Sequence, residues 1–458
     1  MLLLLLLLGF ATPSFGTTYH FEAESALRFN TIISNDTSGY SGTGYVTRFD
    51  TEADSLLFQF DADAGLYELI IGYATTQTRK GYELTVNGAR SSGMFSYSGP
   101  EFMEHRAGKF ILNQGTNKIT IRKGWGHYHI DYINLIPTTL DSLKKPTTQL
   151  TDSQISLASV SLYNFLIANY HTCILSGQQD LHDIKYIKSV TGLEPAVGAF
   201  DIIDYSPSRV AYQSDTTGVI DSWIEWAQTG HGIVTVCWHW NAPTDLINKK
   251  GKEWFRGFYT IATTFDLEAA LADTTSDRYQ LLLRDIDAIA VQLKRLEKAD
   301  IPVLWRPLHE AAGGWFWWGA KGPEPFKKLW VILYDRLVNF HQVHNLIWVF
   351  TSDDQHEWYP GDDYVDIIAM DIYTAPSSAM TGEWDLIQRQ YNGKKLVALS
   401  ESGTLPDPDK CRTYGIWWSW FAVWNGSFIR EIDKNYLKKV FQDKDIITLN
   451  ELPDWRKY

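Results

Sequence analysis

The sequence of 458 residues has few cysteines, no excess of basic residues and, beyond its first residues, no long apolar run. Its three cysteines (Cys173, Cys237 and Cys411) are too few for a disulfide framework, so we expect free thiols. The 41 Lys and Arg residues are outnumbered by 54 Asp and Glu residues, and the net charge of −13 argues against a nucleic-acid partner. No internal segment approaches the roughly 20 apolar residues of a membrane-spanning helix, so no membrane partner is expected.

The one long apolar run is N-terminal, where Met1 is followed by seven leucines. This run is too short to span a bilayer as a stable helix. Ser14 and Gly16 are small residues at the −3 and −1 positions of a cleavage site, which predicts a secretory signal peptide over residues 1–16. We therefore expect a secreted, extracellular protein.

Aromatic residues are abundant: they make up 14% of the chain, with 19 Trp and 24 Tyr. Either a very large core or a carbohydrate-facing surface would explain this usage, and the second also explains why Trp and Tyr lead. The length of the chain indicates two domains, one of them large.

Residues 17–137 show an all-β pattern. Short alternating runs, such as 55–60 and 118–122, recur between turns of Gly, Asn and Asp, and Asn87-Gly88 is a hairpin signal. This pattern predicts a β-sandwich. Residues 138–150 form a short polar connector that contains Pro and Thr.

Residues 151–458 alternate between strand and helix patterns. Helix-period segments are clearest at 279–298 and 326–342. The candidate strands are residues 172–176, 195–200, 233–238, 303–308, 346–351, 366–371, 395–400 and 416–424. Eight buried strands with helical crossovers favour an α/β fold of the (β/α)8 barrel type. A doubly wound sheet is the alternative, although no Gly-rich phosphate-binding motif supports it.

Two glutamates follow strands four and seven of this predicted barrel. Glu310 ends the run Trp305-Arg-Pro-Leu-His-Glu, and Glu401 lies in Leu399-Ser-Glu-Ser-Gly. The carboxyl ends of barrel strands carry the chemistry of this fold, so both side chains are expected at one opening. Cleavage of a glycosidic bond needs such a pair, one carboxyl to protonate the leaving oxygen and one to attack or to activate water. The alternative is a Trp-rich core strand with a salt-bridged glutamate.

The N-terminal region resembles a family 35 carbohydrate-binding module. The resemblance rests on residues 19–24 (Tyr-His-Phe-Glu-Ala-Glu), on residues 38–46 and on residues 124–135, which begin Gly-Trp-Gly-His-Tyr-His. It implies a jelly-roll sandwich with a structural calcium ion.

For that ion, Glu22 and Glu24 would lie on one face of the first strand, and Asp131 would open the last strand. Solvated acids at a strand edge are the alternative. The resemblance also implies sugar contacts from loops, for which Trp125 and Tyr40 are the candidates, although either ring could instead belong to the core.

The C-terminal region resembles glycoside hydrolase family 26, whose main members are endo-β-1,4-mannanases. The motif ending at Glu310, followed by Gly314-Trp-Phe-Trp-Trp-Gly, resembles the acid/base motif, and residues 399–403 resemble the nucleophile strand. The resemblance implies that Glu310 is the acid/base and Glu401 the nucleophile of a retaining reaction. The two carboxyl groups would then be about 5–5.5 Å apart.

The same resemblance assigns further residues to the substrate site. His309 would hydrogen-bond the sugar beside the scissile bond, Trp315 would lie under the leaving-group side, and Trp424 would stack on the sugar that is attacked. His239 matches a substrate-binding histidine. Tyr373 would hydrogen-bond the nucleophile, and Asp371 would help to order the site.

The expected partners are β-mannan polysaccharides and manno-oligosaccharides, bound by a monomer without a cofactor or metal in catalysis. Two alternatives remain open within the same barrel, a β-1,3-xylanase and a mixed-linkage β-glucanase. A non-catalytic polysaccharide-binding protein is the third alternative, from a different functional class.

Overall fold

The computed structural model describes residues 16–458, and these form two compact units that divide between Asp141 and Ser142. The predicted signal peptide lies outside the described residues, apart from Gly16 at its end. Among the residues described, no helix is both long enough and apolar enough to cross a membrane.

The first unit is a sandwich of two antiparallel sheets. One sheet has the order β3-β4-β11-β6-β9, with β1 paired to β11, and the other has the order β2-β5-β10-β7-β8. The strands are β1 (Tyr19–Glu22), β2 (Leu27–Phe29), β3 (Ile32–Ser34), β4 (Tyr45–Thr47), β5 (Ser55–Ala62), β6 (Gly65–Ala74), β7 (Lys80–Val86), β8 (Ala89–Phe95), β9 (Met103–Leu112), β10 (Gly115–Lys123) and β11 (His129–Pro137).

Alternating side chains build the core between these sheets. In β5, Leu56, Phe58 and Phe60 are buried, whereas the intervening Gln59 and Asp61 are exposed. This is the period of two that places one face of a strand inward. The hairpin from β7 to β8 turns at Asn87 and Gly88, whose φ angles of 49° and 87° suit a right-twisted two-residue turn.

The second unit is a closed barrel of eight parallel strands with helices around it. The barrel strands are β13 (Gly177–Gln179), β14 (Val197–Asp201), β15 (Ile233–Cys237), β16 (Val303–Arg306), β17 (Leu346–Thr351), β18 (Ile367–Ile372), β19 (Leu396–Ser402) and β20 (Phe421–Val423). A short parallel pair lies outside the barrel, β12 (Ile174–Leu175) with β21 (Ile446–Ile447).

The helices are α1 (Leu157–Asn169), α2 (Leu181–Thr191), α3 (Pro207–Val210), α4 (Val219–Gly230), α5 (Leu267–Ala272), α6 (Asp277–Lys298), α7 (Pro323–Tyr334), α8 (Thr381–Tyr391), α9 (Pro408–Tyr414), α10 (Ser427–Arg430) and α11 (Lys434–Phe441). Helix α6 shows how the sequence specifies such an element. The Ser276 hydroxyl caps its start by accepting the Tyr279 N–H, and residues 282, 286, 289, 293 and 296 form its buried stripe.

The structure confirms the predicted barrel and the preceding all-β sandwich, and it excludes the doubly wound sheet. The predicted location of the first barrel strand, residues 172–176, was wrong. The apolar residues Ile174 and Leu175 pair with β21 outside the barrel, and the barrel strand is Gly177–Gln179. A Cβ on Gly177 would lie closer than 3.0 Å to the carbonyl oxygen of Phe421, so this strand carries little of the apolar signal that marks its neighbours.

Candidate active site

Glu310 and Glu401 lie at the same end of the barrel. Glu401 is the sixth residue of β19, and Glu310 follows β16 with its backbone in the left-handed region at φ 55°. Leu308, two residues earlier, has a φ of 50°. Two non-glycine residues in this sparsely populated region mark a backbone that the surrounding structure holds in place, as is common at functional sites.

The two carboxylates are close enough to act on one bond. One oxygen of each lies within 4.8 Å of the other, and an oxygen of Asp371 lies within the same distance of both. Inverting glycosidases separate their carboxyl groups by roughly 6.5–9.5 Å to admit a water molecule, whereas retaining enzymes hold them about 5–5.5 Å apart. The spacing here belongs with the retaining arrangement.

Arg306, the last residue of β16, bridges two of these acids. Its Nη2 donates to Glu401 at 2.7 Å and its Nη1 donates to Asp371 at 2.6 Å. Its side chain is 3% exposed. Burial alone would lower the pKa of Arg306, but Asp371 and Glu401 raise it above its ordinary value, so the guanidinium stays charged.

Tyr373, directly after β18, donates its hydroxyl to Oε1 of Glu401 at 2.6 Å. Glu401 therefore receives one hydrogen bond on each oxygen, from Tyr373 and from Arg306. These two donors fix the orientation of the carboxylate that is predicted to be the nucleophile.

Glu310 has the opposite environment. Burial raises its pKa well above the usual range, and the negative charges of Asp371 and Glu401 raise it further. Arg306 and the hydrogen bond from the indole of Trp315 act in the other direction. Glu310 is therefore kept protonated, as a general acid requires.

His239 and His309 form a hydrogen-bonded chain with Asp201, a third residue that the sequence did not reveal. Nδ1 of His239 lies 2.7 Å from Asp201, which ends β14, and the two imidazole Nε2 atoms are 3.1 Å apart. Burial, Arg306 and His239 lower the pKa of His309, so this imidazole is neutral. Asp201 follows an apolar strand at its carboxyl end, and that position was the only sequence signal for it.

The carboxylates predicted to hold calcium converge on the turn at residues 41–43. Asp131 accepts the Ser41 N–H at 3.0 Å, Glu22 accepts the Ser41 hydroxyl at 2.7 Å and Glu24 accepts the Thr43 N–H at 2.7 Å. The prediction that both glutamates lie on one strand was wrong, because β1 ends at Glu22 and Glu24 falls in a 3-10 turn over Ala23–Ser25. A turn at this point still brings both side chains to the same loop.

The comparisons with known proteins agree with this architecture. Residues 151–451 match the sequence model of Glycosyl hydrolase family 26, and residues 19–138 match that of Carbohydrate binding module (family 35). The chain belongs to glycosyl hydrolase family 26. It is thus a glycoside hydrolase with an N-terminal carbohydrate-binding module.

Similar proteins cover almost the whole chain. A mannan endo-1,4-beta-mannosidase of Thermothelomyces thermophilus is 43% identical over 450 residues, which are 97% of this chain and 92% of that protein. The crystal structure of a GH26-CBM35 β-(1,4)-mannanase from Podospora anserina has a TM-score of 0.70 and 42% identity, covering 96% of this chain and 99% of that one. The crystal structure of a ruminal GH26 endo-β-1,4-mannanase has a TM-score of 0.67 and 28% identity, covering 95% and 98%.

In this family 26 barrel, two of the predicted aromatic contacts are accessible. Trp315 is 45% exposed and its Nε1 donates to Glu310 at 2.9 Å, while Trp424 is half-buried with its ring 5.7 Å from that of His239. Trp238 and Trp240 on either side of His239 are fully buried and belong to the core.

Two residues of the predicted substrate site are enclosed. The carboxylate of Asp371 is held by Arg306 and by the Ser400 hydroxyl, and its side chain is 2% exposed. These contacts suit the ordering role that the resemblance implies for Asp371. His309 is 1% exposed, and its Nδ1 is buried without a hydrogen-bond partner.

The family 35 module places its two predicted sugar-binding rings differently. Trp125 is 58% exposed and lies against the backbone of Gly81, where a Cβ would be closer than 3.0 Å to the indole. Tyr40 is half-buried and packs on Tyr45, with 5.9 Å between ring centroids. Trp125 therefore has the exposure of a sugar platform, whereas Tyr40 belongs partly to the packing of its loop.

Proposed function

We propose that this protein is a secreted endo-β-1,4-mannanase that hydrolyses mannan, glucomannan and galactomannan with retention of anomeric configuration. The observation that carries the proposal is the pairing of a protonated Glu310 with Glu401, whose carboxylate accepts hydrogen bonds from Arg306 and Tyr373; the nearest oxygens of the two glutamates lie within 4.8 Å of each other. The names of the similar proteins support mannan as the substrate class. The leucine run at residues 2–8 supports secretion.

The reaction proceeds in two displacements. Glu401 attacks the anomeric carbon while Glu310 gives its proton to the glycosidic oxygen, so the carbon–oxygen bond to the leaving sugar breaks and a glycosyl-enzyme ester forms. Glu310, now ionised, removes a proton from water, and that water attacks the same carbon and displaces Glu401. Each step inverts the configuration at the anomeric carbon, so the two steps together retain it. No step requires a metal ion.

The substrate is tested by release of reducing sugar from glucomannan, galactomannan, β-1,3-xylan, lichenan and cellulose with the purified mature protein. We expect activity on the two mannans and none on the others. Activity mainly on xylan or lichenan would retain the barrel chemistry and replace the mannanase assignment with one of the two alternatives. Binding without any hydrolysis would identify a polysaccharide-binding protein.

We also propose that the N-terminal module holds a structural calcium ion through Glu22, Glu24 and Asp131. Carboxylate oxygens are among the ligands that Ca²⁺ prefers. Oε2 of Glu24 is buried without a hydrogen-bond partner. Burial raises the pKa of Asp131 to about 6, and repulsion from Glu22 and Glu24 adds to the effect against the hydrogen bonds from Ser41. A divalent cation would relieve this repulsion and supply the missing partner.

Removal of calcium is expected to destabilise the module. At a free calcium concentration of about 100 times Kd, binding stabilises the folded state by about 2.7 kcal/mol, which corresponds to on the order of 10 °C in melting temperature. Differential scanning calorimetry with EDTA, and then with excess CaCl₂, measures the shift of the first-unit transition.

The variant Glu24→Gln should abolish the calcium response. Glu83→Gln is its matched control, because Glu83 lies in the same module and forms an ion pair with the exposed Arg90. A wild-type transition that does not move with calcium would contradict the proposal.

A further inference from the structure

Gly313 lies between the acid/base residue and the neighbouring indole. It ends a 3-10 turn over Ala311–Gly313, which starts directly after Glu310 and is followed by Gly314 and Trp315. A Cβ on Gly313 would lie closer than 3.0 Å to three atoms of the Trp315 six-membered ring, Cη2, Cζ3 and Cζ2. The indole therefore occupies the space that a side chain at position 313 would fill.

The backbone around Trp315 is held by the segment that follows β15. The Thr260 N–H donates to the Trp315 carbonyl at 2.8 Å, and the Trp317 N–H donates to the Phe258 carbonyl at 3.2 Å. With its main chain held in this way, Trp315 could avoid a side chain at position 313 only by rotating its ring. The ring is 45% exposed, so rotation toward solvent is open to it.

We propose that Gly313 is a positioning residue of the active site: the absence of its Cβ holds the Trp315 indole where Nε1 donates to Glu310. The hydrogen bond measures 2.9 Å, to Oε2 of Glu310. The same ring position would also set the surface presented to a sugar. The inference rests on the proposed function, because it concerns the proton donor of the hydrolysis.

The hydrogen bond from Trp315 changes the pKa of Glu310 in a definite direction. An N–H donor stabilises the ionised carboxylate, so the bond from Trp315 lowers the pKa of Glu310 relative to the same site without it. Its loss would raise that pKa, and the alkaline limb of the pH profile, where Glu310 loses its proton, would move to higher pH. The other titratable groups that interact with Glu310 are Tyr259, Arg306, Asp371, Tyr373 and Glu401.

The test compares pH profiles of kcat and kcat/KM on glucomannan for wild type, Gly313→Ala, Trp315→Phe and the double variant. We expect Gly313→Ala to lower kcat/KM by about ten- to a hundredfold, as small misplacements at active sites do. Its alkaline limb should move upward by about one pH unit. Trp315→Phe lacks the N–H and should show the same direction of shift.

The double variant distinguishes a displaced Trp315 indole from a general disturbance of the loop by the substitution at position 313. Phenylalanine is shorter than the indole, so it leaves room for an alanine methyl at position 313. The double variant should therefore match Trp315→Phe alone, with the effect of Gly313→Ala largely abolished.

The matched control is Gly251→Ala. It adds the same methyl at another glycine of positive φ (+80°), where no atom beyond its chain neighbours lies within 4 Å, so it introduces backbone strain away from the indole. We expect its alkaline limb to coincide with that of wild type.

Three results would overturn the inference. They are a Gly313→Ala enzyme with wild-type pH profile and KM, additive effects in the double variant, and an equal shift from Gly251→Ala. A wild-type protein inactive on every polysaccharide would instead contradict the proposed function, so the two failures are distinguishable.

Discussion

Replacement of Glu401 by alanine should lower kcat on mannan by a factor on the order of 10⁴ or more, because the covalent intermediate can no longer form. Addition of sodium azide should restore part of the turnover, since the small anion fits the space that the carboxylate leaves. Azide would attack from the face that Glu401 occupied in a single displacement, so the product should be the α-glycosyl azide.

Replacement of Glu310 by alanine should give the opposite stereochemistry with azide. On an aryl β-mannoside, whose phenolate leaves without a proton from residue 310, Glu401 still forms the glycosyl-enzyme, and azide then displaces Glu401 without needing a general base. Two inversions yield the β-glycosyl azide. Nuclear magnetic resonance of the azide products distinguishes the two anomers, and an exchange of the two outcomes would mean that the roles of Glu310 and Glu401 are reversed.

The second large effect concerns Arg306. The variant Arg306→Met should lose about 3–5 kcal/mol of folding stability, because it leaves the carboxylates of Asp371 and Glu401 buried without their shared cation. Thermal unfolding measures this as a fall on the order of 10 °C in the barrel transition. Activity should also collapse, since the carboxylate of Glu401 loses one of the two hydrogen-bond donors that hold it in position.

The control for Arg306 is Arg336→Met. Arg336 also donates two hydrogen bonds to one carboxylate, Asp287, at 2.7 and 2.8 Å. The side chains of this pair are 23% and 36% exposed, so its removal should cost less than about 1 kcal/mol and leave kcat unchanged. Equal destabilisation by the two variants would show that burial of the Arg306 pair is not what makes it strong.

Arg306→Lys gives an intermediate test. A lysine carries the charge but cannot reach both acids with the planar fork of a guanidinium. We expect this variant to recover part of the stability and little of the activity, because one of the two carboxylates remains unpaired. Full recovery of kcat would show that charge alone, without the bridging geometry, maintains Glu401.

The sequence by itself determined the two-domain organisation, the barrel and the pair of glutamates. Buried parallel strands read as apolar runs, and the residues at their carboxyl ends must gather at one opening of a barrel. The positions of Glu310 and Glu401 therefore followed from local pattern alone. The pattern did not locate the first barrel strand, because this strand begins with Gly177. The backbone of Phe421 lies too close for a side chain at that position, so the strand lacks an apolar run.

Only the tertiary structure decided which charged side chains of the active site pair with one another. Arg306 meets Asp371 and Glu401 across 65 and 95 residues of sequence, and His239 meets Asp201 across 38. Such pairings depend on strand register and on the direction of each side chain around the barrel, which no local pattern encodes. The same holds for Gly313, whose effect on the Trp315 indole depends on a main chain that the distant Thr260 holds in place.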